Sequence, residues 1–349
     1  MHGRLSEIDS LRGIAALVVA FVFHQHYLTG QFQSGPLDGL PVFSWLHDNG
    51  WVAVDLFFVI SGFIFAYVYL AEGEMKVTGK RFFWARFARL YPLHLATLLV
   101  CAAILAFGTP FSAHYVDNSA WHFILNLFML QESGLQTSKS FNVPAWSISV
   151  EVMCYAVFYL IASRFPRHLV ALSGFLAIGG LVVTIGDDPT IDHIGRGFCG
   201  FFAGVLLYRF RDAPRERLLA GFLAAAIVAK VLPGTSLGAT FGFALFPAFV
   251  WLMSGFAPLR HHWLVWLGDR SYAIYMLHVP VYMAINVLVF QSQKVPENLV
   301  WPTILAAWLA ILLLSDLSYR FLENPARKWL NSWADRRSTA KPDGNRVIA

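Results

Sequence analysis

The sequence is short of charge and of cysteine. Only 13% of its residues are Asp, Glu, Lys or Arg, against 57% hydrophobic. Soluble domains carry about 25% charged residues. That deficit excludes a soluble core and indicates an integral membrane protein. The three cysteines, Cys101, Cys154 and Cys199, lie far apart in apolar runs, and no CxxC or CxxH spacing offers a metal site or a disulfide frame. No tandem repeat and no second soluble domain is visible. The first apolar segment lacks a small-residue cleavage site of the A-x-A kind, so it reads as a retained span. The net charge of +5 sits mostly in short loops and the tail. There it orients the chain in a bilayer and does not point to nucleic acid.

What the sequence holds in excess is apolar length. Its 31 Phe and 12 Trp suit lipid contact and interfacial belts. A span needs about 20 mostly apolar residues, and ten stretches qualify: roughly 11–29, 50–71, 90–108, 145–164, 168–186, 195–209, 217–232, 237–256, 271–291 and 301–322. "WHFILNLFML" (121–130) is amphipathic and too short to span, which predicts a re-entrant or interfacial helix. With the N-terminus inside, only Lys139, Arg196, Lys230 and Lys294 fall on the outer side, leaving 22 of the 26 Lys and Arg inside. This bias predicts ten spans with both termini cytoplasmic. The polar stretch 331–349 reads as a disordered cytoplasmic tail following a transmembrane domain of residues 1–330.

Ionisable groups inside a membrane are costly and face a cavity or a partner. On this topology His24 lies ~18 Å along the first span from Arg12, in the outer half. Asp55, Glu151 and Arg196 come at similar outer depth. Arg86 and Arg89 stand at i and i+3 on one helix face, at the inner side with Arg12 and Arg270, and clustered guanidinium forks suit phosphate. Bland readings compete. The inner arginines can be positive-inside anchors, Asp55 can pair with an arginine, Glu151 can bridge helices, and a lone histidine can bond between helices. Tyr275 and His278, at helical spacing in "SYAIYMLH", have packing as their default. Together the two depth clusters predict a polar path through the bilayer.

The ordered segments "LRGIAALVV", "GWVAVDLFFVISGFIF", "RFFWARFARLYP", "PAWSISVE", "GRGFCGFFAGVLLYRF", "LGDRSYAIYMLHVPV" and "ENPARKW" resemble the acyltransferase 3 family of bacterial membrane O-acyltransferases, from about residue 7 to 329. The resemblance implies ten spans in the cytoplasmic (inner) membrane, in the standalone form without an SGNH domain. It also implies transfer of an acyl group, commonly acetyl, from acyl-CoA as co-substrate, with no permanently bound cofactor. The acceptor would be a hydroxyl of a glycan, a lipid-linked saccharide or a related molecule. The family's functional arginine and Arg-x-x-Arg pair map onto Arg12 and onto Arg86 with Arg89. Its first-span histidine, usually eleven residues after the arginine, would fall on Phe23. His24 is one residue late and His26 three. At ~100° per residue a regular helix favours His26, whereas one π-bulge, frequent at functional sites, restores His24. The two rings should then point roughly 200° apart on a helix and hardly share a cavity, and both remain candidates.

In this reading a neutral imidazole removes the acceptor proton, with Asp55 or Glu151 orienting the ring as in a hydrolase triad. Alternatively it attacks the thioester and forms an acyl-histidine. Arg12, Arg86, Arg89 and Arg270 hold the CoA phosphates, while Arg196, Tyr275 and His278 line the polar path. A polytopic transporter is the rival from another class. It predicts inverted repeats and unwound helices at the midplane, and neither is visible in the sequence. The oligomeric state, the acceptor and the acyl chain length are not encoded in any pattern found.

Overall fold

The computed structural model describes residues 4–29, 39–71, 73–110, 117–136, 138–186, 188–232 and 234–339. It is almost wholly helical. The exception is a two-strand hairpin, Leu70–Ala71 against Glu74–Met75. Six helices are long and apolar enough to cross a membrane: Pro41–Tyr69, Gly79–Leu105, Val143–Arg164, Pro166–Val183, His262–Val289 and Glu297–Trp333. The other four expected spans are helical but fall outside that set. Ser6–Leu17 carries Glu7, Asp9 and Arg12 and continues as a π-helix, Val18–Phe23. Pro189–Phe210 holds Asp192, His193 and Arg196, and Arg215–Val231 has only 17 residues. The Leu237–Met253 stretch is interrupted by a second π-helix at Phe241–Leu245.

The predicted short helix is present at Ala120–Leu127, capped by Ser119. The helix of the third expected span, 90–108, starts earlier, at Gly79, and runs 27 residues to Leu105 with Pro92 inside it, so that Arg86 and Arg89 belong to it. Trp84 anchors this helix by donating to the Leu330 carbonyl at 2.7 Å and stacking on Trp333. The last helix runs from Asn324 to Thr339, so 331–339 of the expected tail is helical, and 340–349 lies outside the described residues.

Two close helix crossings position everything that follows. Gly62 faces the Phe201 carbonyl and Gly204 the Val59 carbonyl, so a methyl group at either would overlap backbone. Ala53–Tyr69 and Pro189–Phe210 therefore touch along their backbones, as small residues permit in membranes. Asp55 lies two turns before Gly62 on the same face and so meets Arg196. The second crossing seats Gly13 on the backbone of Leu267 and Gly268, placing Ser6–Leu17 along His262–Ala284 in the same direction. From Gly13 to His24 is eleven residues, and from Gly268 to His278 is ten. The two histidines nevertheless meet, because the π-helix absorbs the extra residue.

That π-helix is built atom by atom. The His24 N–H donates to the Val19 carbonyl, five residues back, at 2.9 Å. The Ala20 carbonyl, its partner in an α-helix, is satisfied instead by the Tyr282 hydroxyl at 2.6 Å. A buried carbonyl left bare would cost about 1–3 kcal/mol, so Tyr282 supports the widened turn. His26 then closes it, its Nδ1 lying 2.9 Å from the Phe23 carbonyl.

Candidate active site

A cavity of about 240 Å³ opens beside the end of the π-helix, lined among others by His24, His26, Trp51, Lys139, His193 and Arg196. Both histidines face it. The expected 200° separation fails because the chain leaves helical geometry at His24–Gln25, where a turn replaces regular winding. His24 Nδ1 lies 2.8 Å from His278 Nε2, with the rings stacked at 4.9 Å. His278 is fully buried, and its Nδ1 lies 3.3 Å from the Ile274 carbonyl. A carbonyl only accepts, so His278 Nδ1 carries the hydrogen and His278 Nε2 the lone pair. His24 Nδ1–H then donates to it, which leaves the lone pair of His24 on Nε2.

Asp55 does not orient either histidine, contrary to the sequence expectation. It is fully buried and takes two hydrogen bonds from Arg196, Nε to Oδ1 at 2.9 Å and Nη2 to Oδ2 at 2.7 Å. The guanidinium carbon also lies 4.4 Å from the Trp51 ring and 5.4 Å from the Trp146 ring. Arg196 sits inside its helix, the first turns of which start at Pro189, rather than at its opening. A forked pair of this kind satisfies both ions; the pair sets the wall of the cavity.

Glu151 also departs from expectation. It belongs to a second, smaller cavity of about 70 Å³, lined by Arg12, Arg86, Arg89, Ser61, Tyr272 and Tyr275 among others. The Ser61 hydroxyl donates to Glu151 at 2.5 Å. The reason is helical: Ser147 reaches the Tyr275 hydroxyl at 2.9 Å, and Glu151 is one turn further along the same helix, ~6 Å deeper. The expected cluster of Arg12, Arg86 and Arg89 does form here, three guanidinium groups against one carboxylate. Arg86 packs over Phe65 and Tyr69, and its buried Nε has no hydrogen-bond partner among the described residues. Arg270 does not join them. Asp316 neutralises it at 2.6 Å, and Trp266 and Tyr319 cover its faces, because it projects toward Val300–Ser318 rather than into the arginine cavity.

The cavities are in series. Val54 and Tyr275 line both the histidine and the arginine cavity. Arg12, Arg89 and Tyr272 line both the arginine cavity and a third, of about 290 Å³, which Arg4, Asp269, Glu323 and Arg327 also border. Residues near both ends of the chain thus share one mouth. Tyr275 is the partition, its hydroxyl donating to the Pro144 carbonyl at 2.9 Å.

Across residues 5–320 the chain matches the family described as an acyltransferase domain. The chain belongs to the acyltransferase 3 family. Among its relatives in that family is the peptidoglycan O-acetyltransferase OatA of Listeria monocytogenes, 25% identical over 92% of this chain and 56% of that protein. The exopolysaccharide production protein ExoZ of Rhizobium meliloti is 30% identical over 79% of this chain and 89% of its own. The acyltransferase MdmB of Streptomyces mycarofaciens is 33% identical over 46% of this chain and 40% of its own. The chain thus spans about half the length of the first of these relatives. No solved structure matches it.

The acyltransferase 3 positions carried by the resemblance, Arg12, Arg86 with Arg89, and the first-span histidine, line adjoining cavities. Sequence reading did not single out as site residues two that line the histidine cavity, Lys139 and His193, or Glu132, which bonds His193 from behind. Glu132 accepts from His193 Nδ1 at 2.5 Å, His193 stacks on Trp146 at 4.0 Å, and Lys139 Nζ lies 3.5 Å from His193 Nε2. Burial pushes the Glu132 carboxyl up to about 7, with Lys139 pulling the other way. Glu132 and His193 are 61 residues apart, and no local pattern links them. The usable signal was ionisable residues bunched beside apolar runs, "QES" and "DDPTIDHIGR".

Proposed function

We propose that this chain is a membrane O-acyltransferase that moves an acyl group, acetyl in the simplest case, from acyl-CoA to a hydroxyl of a glycan or related acceptor. The observation that carries the reading is the row of adjoining cavities, with an arginine cluster on one side of Tyr275 and an imidazole lone pair on the other. CoA phosphates would dock at the arginine end, where guanidinium forks match phosphate oxygens. The small middle cavity would take the pantetheine arm. The wider far cavity suits the acceptor. Acyl-CoA is cytosolic, so on this reading the shared mouth faces the cytoplasm and the histidine cavity faces outward, in the inner membrane of a bacterium. The printed names of the relatives, a peptidoglycan O-acetyltransferase and an exopolysaccharide production protein, support a cell-surface polysaccharide as acceptor.

Of the two histidines we take His24, whose Nδ1 is held by the buried imidazole of His278. Its Nε2 lone pair takes the acceptor proton as the alkoxide oxygen bonds to the acyl carbon. The C–S bond then breaks, and the proton passes from His24 to the CoA thiolate. His278 acts as a positioning residue, fixing the tautomer of His24 through the Ile274 carbonyl. A membrane vesicle assay with labelled acetyl-CoA and the endogenous glycan tests this. His24→Gln should lower transfer at least 10²-fold, consistent with loss of a general base, and Arg86→Gln should raise the KM for acetyl-CoA. Undiminished transfer in His24→Gln would remove this imidazole from the reaction.

A further inference from the structure

The reaction proposed above develops negative charge on the acyl oxygen as the tetrahedral adduct forms, and preorganised donors at that oxygen are often the largest catalytic contribution. The histidine cavity holds two cations. Arg196 is spent, since Asp55 takes its Nε and one Nη, Asp192 lies 3.7 Å from the other, and two indole rings enclose it. The Tyr275 hydroxyl is spent on the Pro144 carbonyl.

Lys139 is different. Among the described residues no carboxylate lies within ion-pair distance of its ammonium, and its one side-chain hydrogen-bond partner is His193 Nε2 at 3.5 Å. An ammonium has three N–H donors, so two remain for the cavity that Lys139 and His24 both line. Its position is held from several directions. The Lys139 carbonyl accepts from the Asp117 N–H at 3.1 Å. Just after it, Ser140 Oγ accepts from Asn126 and the Asn142 amide donates to the Met276 carbonyl. The side chain lies over the Trp146 ring at 5.6 Å. The Glu132–His193 pair completes the cradle. Because His193 Nδ1–H donates to Glu132, its Nε2 carries the lone pair and accepts from the ammonium.

We infer that Lys139 is the oxyanion-stabilising residue of acyl transfer, held by Glu132, His193 and Trp146 so that its two uncommitted N–H bonds meet the tetrahedral adduct formed beside His24. Glu132 and His193 act through it as positioning residues. Bonds and protons balance as in the reaction above; Lys139 keeps its proton throughout and donates hydrogen bonds only. Burial disfavours its charge and Glu132 supports it, which assigns the buried carboxylate a purpose beyond tying a loop to a helix.

The inference rests on the acyltransferase reading, and the test separates the two. The full chain is assayed in membrane vesicles with labelled acetyl-CoA and the endogenous acceptor, beside His24→Gln and a thermal-stability measurement on each variant. Lys139→Met should lower the saturated rate by about 10²–10³-fold, as removal of an oxyanion donor does, with the KM for acetyl-CoA within twofold of wild type. Lys139→Arg should recover part of the rate, because it restores charge and donors. His193→Phe should fall between, with unchanged acetyl-CoA KM. A Lys139→Met variant that folds and keeps the wild-type rate while His24→Gln is dead overturns the inference and spares the acyltransferase reading. A loss that rising acetyl-CoA or acceptor concentration restores also overturns it, since that marks a binding role. Wild-type transfer in both variants overturns the inference and removes His24 from the reaction, whereas vesicles with the wild-type chain that transfer no more than vesicles lacking it fail the acyltransferase reading itself.

Discussion

Asp55 and Arg196 illustrate how single residues in this molecule divide between structure and chemistry. Both were read from the sequence as part of a polar path, and both line or border the histidine cavity. Their mutual bidentate bonding at full burial makes them one unit, and breaking such a unit leaves an uncompensated charge in a dry interior. Asp55→Asn should therefore destabilise the fold by about 3–5 kcal/mol, measured as a drop in thermal midpoint in detergent. A double replacement of Asp55 and Arg196 by Leu and Met should recover most of that loss. Equal destabilisation by the single and double variants would mean that the pair's charges are not what holds this wall. The histidines divide in the same way. His26 bonds the backbone at Phe23 and closes a turn, while His24 bonds another imidazole. Sequence spacing placed both near the right depth and could not separate them, because tautomer and partner are decided by Ile274 and His278, about 250 residues away.

At the scale of elements the informative feature is the π-helix Val18–Phe23. A bulge was one of two ways to bring the first-span histidine into the family's register. The structure contains it, and the Tyr282 hydroxyl on the Ala20 carbonyl accounts for its persistence. Tyr282→Phe should cost about 1–3 kcal/mol through the orphaned carbonyl and lower acyl transfer, because His24 loses its aim. Deleting Val22 should act more strongly, turning His24 by ~100° with little change in helix content by circular dichroism. Full transfer activity in the Val22 deletion would show that the bulge does not aim the ring. The Gly79–Leu105 helix makes the complementary point. The i, i+3 spacing of Arg86 and Arg89 predicted a shared face, and both line one cavity. Their helix begins a full turn and more ahead of the expected span, at Gly79, where Trp84 packs against the carboxy-terminal helix, a contact with no local signature.

At the scale of the whole molecule, Arg4 and Arg327 border one mouth while the histidine cavity lies beyond Tyr275. The two ends of the chain should therefore face one side of the membrane and the histidine cavity the other. All three native cysteines are buried, so single-cysteine labelling reports cleanly. Asp48→Cys, on the helix beside the π-helix, and Asp212→Cys, just past the far end of Pro189–Phe210, replace side chains that are 65% and 81% exposed. A membrane-impermeant maleimide applied to intact cells should label the first and spare the second. Labelling of both from one side would contradict the transverse path on which donor and acceptor meet.

The sequence by itself determined the solvent of this protein, the approximate places of its helices and the identity of most of its polar lining, because hydropathy and charge bias act locally along the chain. Helical spacing grouped Arg86 with Arg89, and predicted depth set Arg12 beside them. What tertiary structure alone decided was partnership. Glu151 went to the arginines, Asp55 to Arg196, Arg270 to Asp316, and His24 to His278, while Glu132, His193 and Lys139 came together from a loop and a helix start. In a medium that solvates no charge, each ion takes whichever partner helix packing brings within reach. That packing is set by a few glycine crossings, which no single segment of sequence discloses.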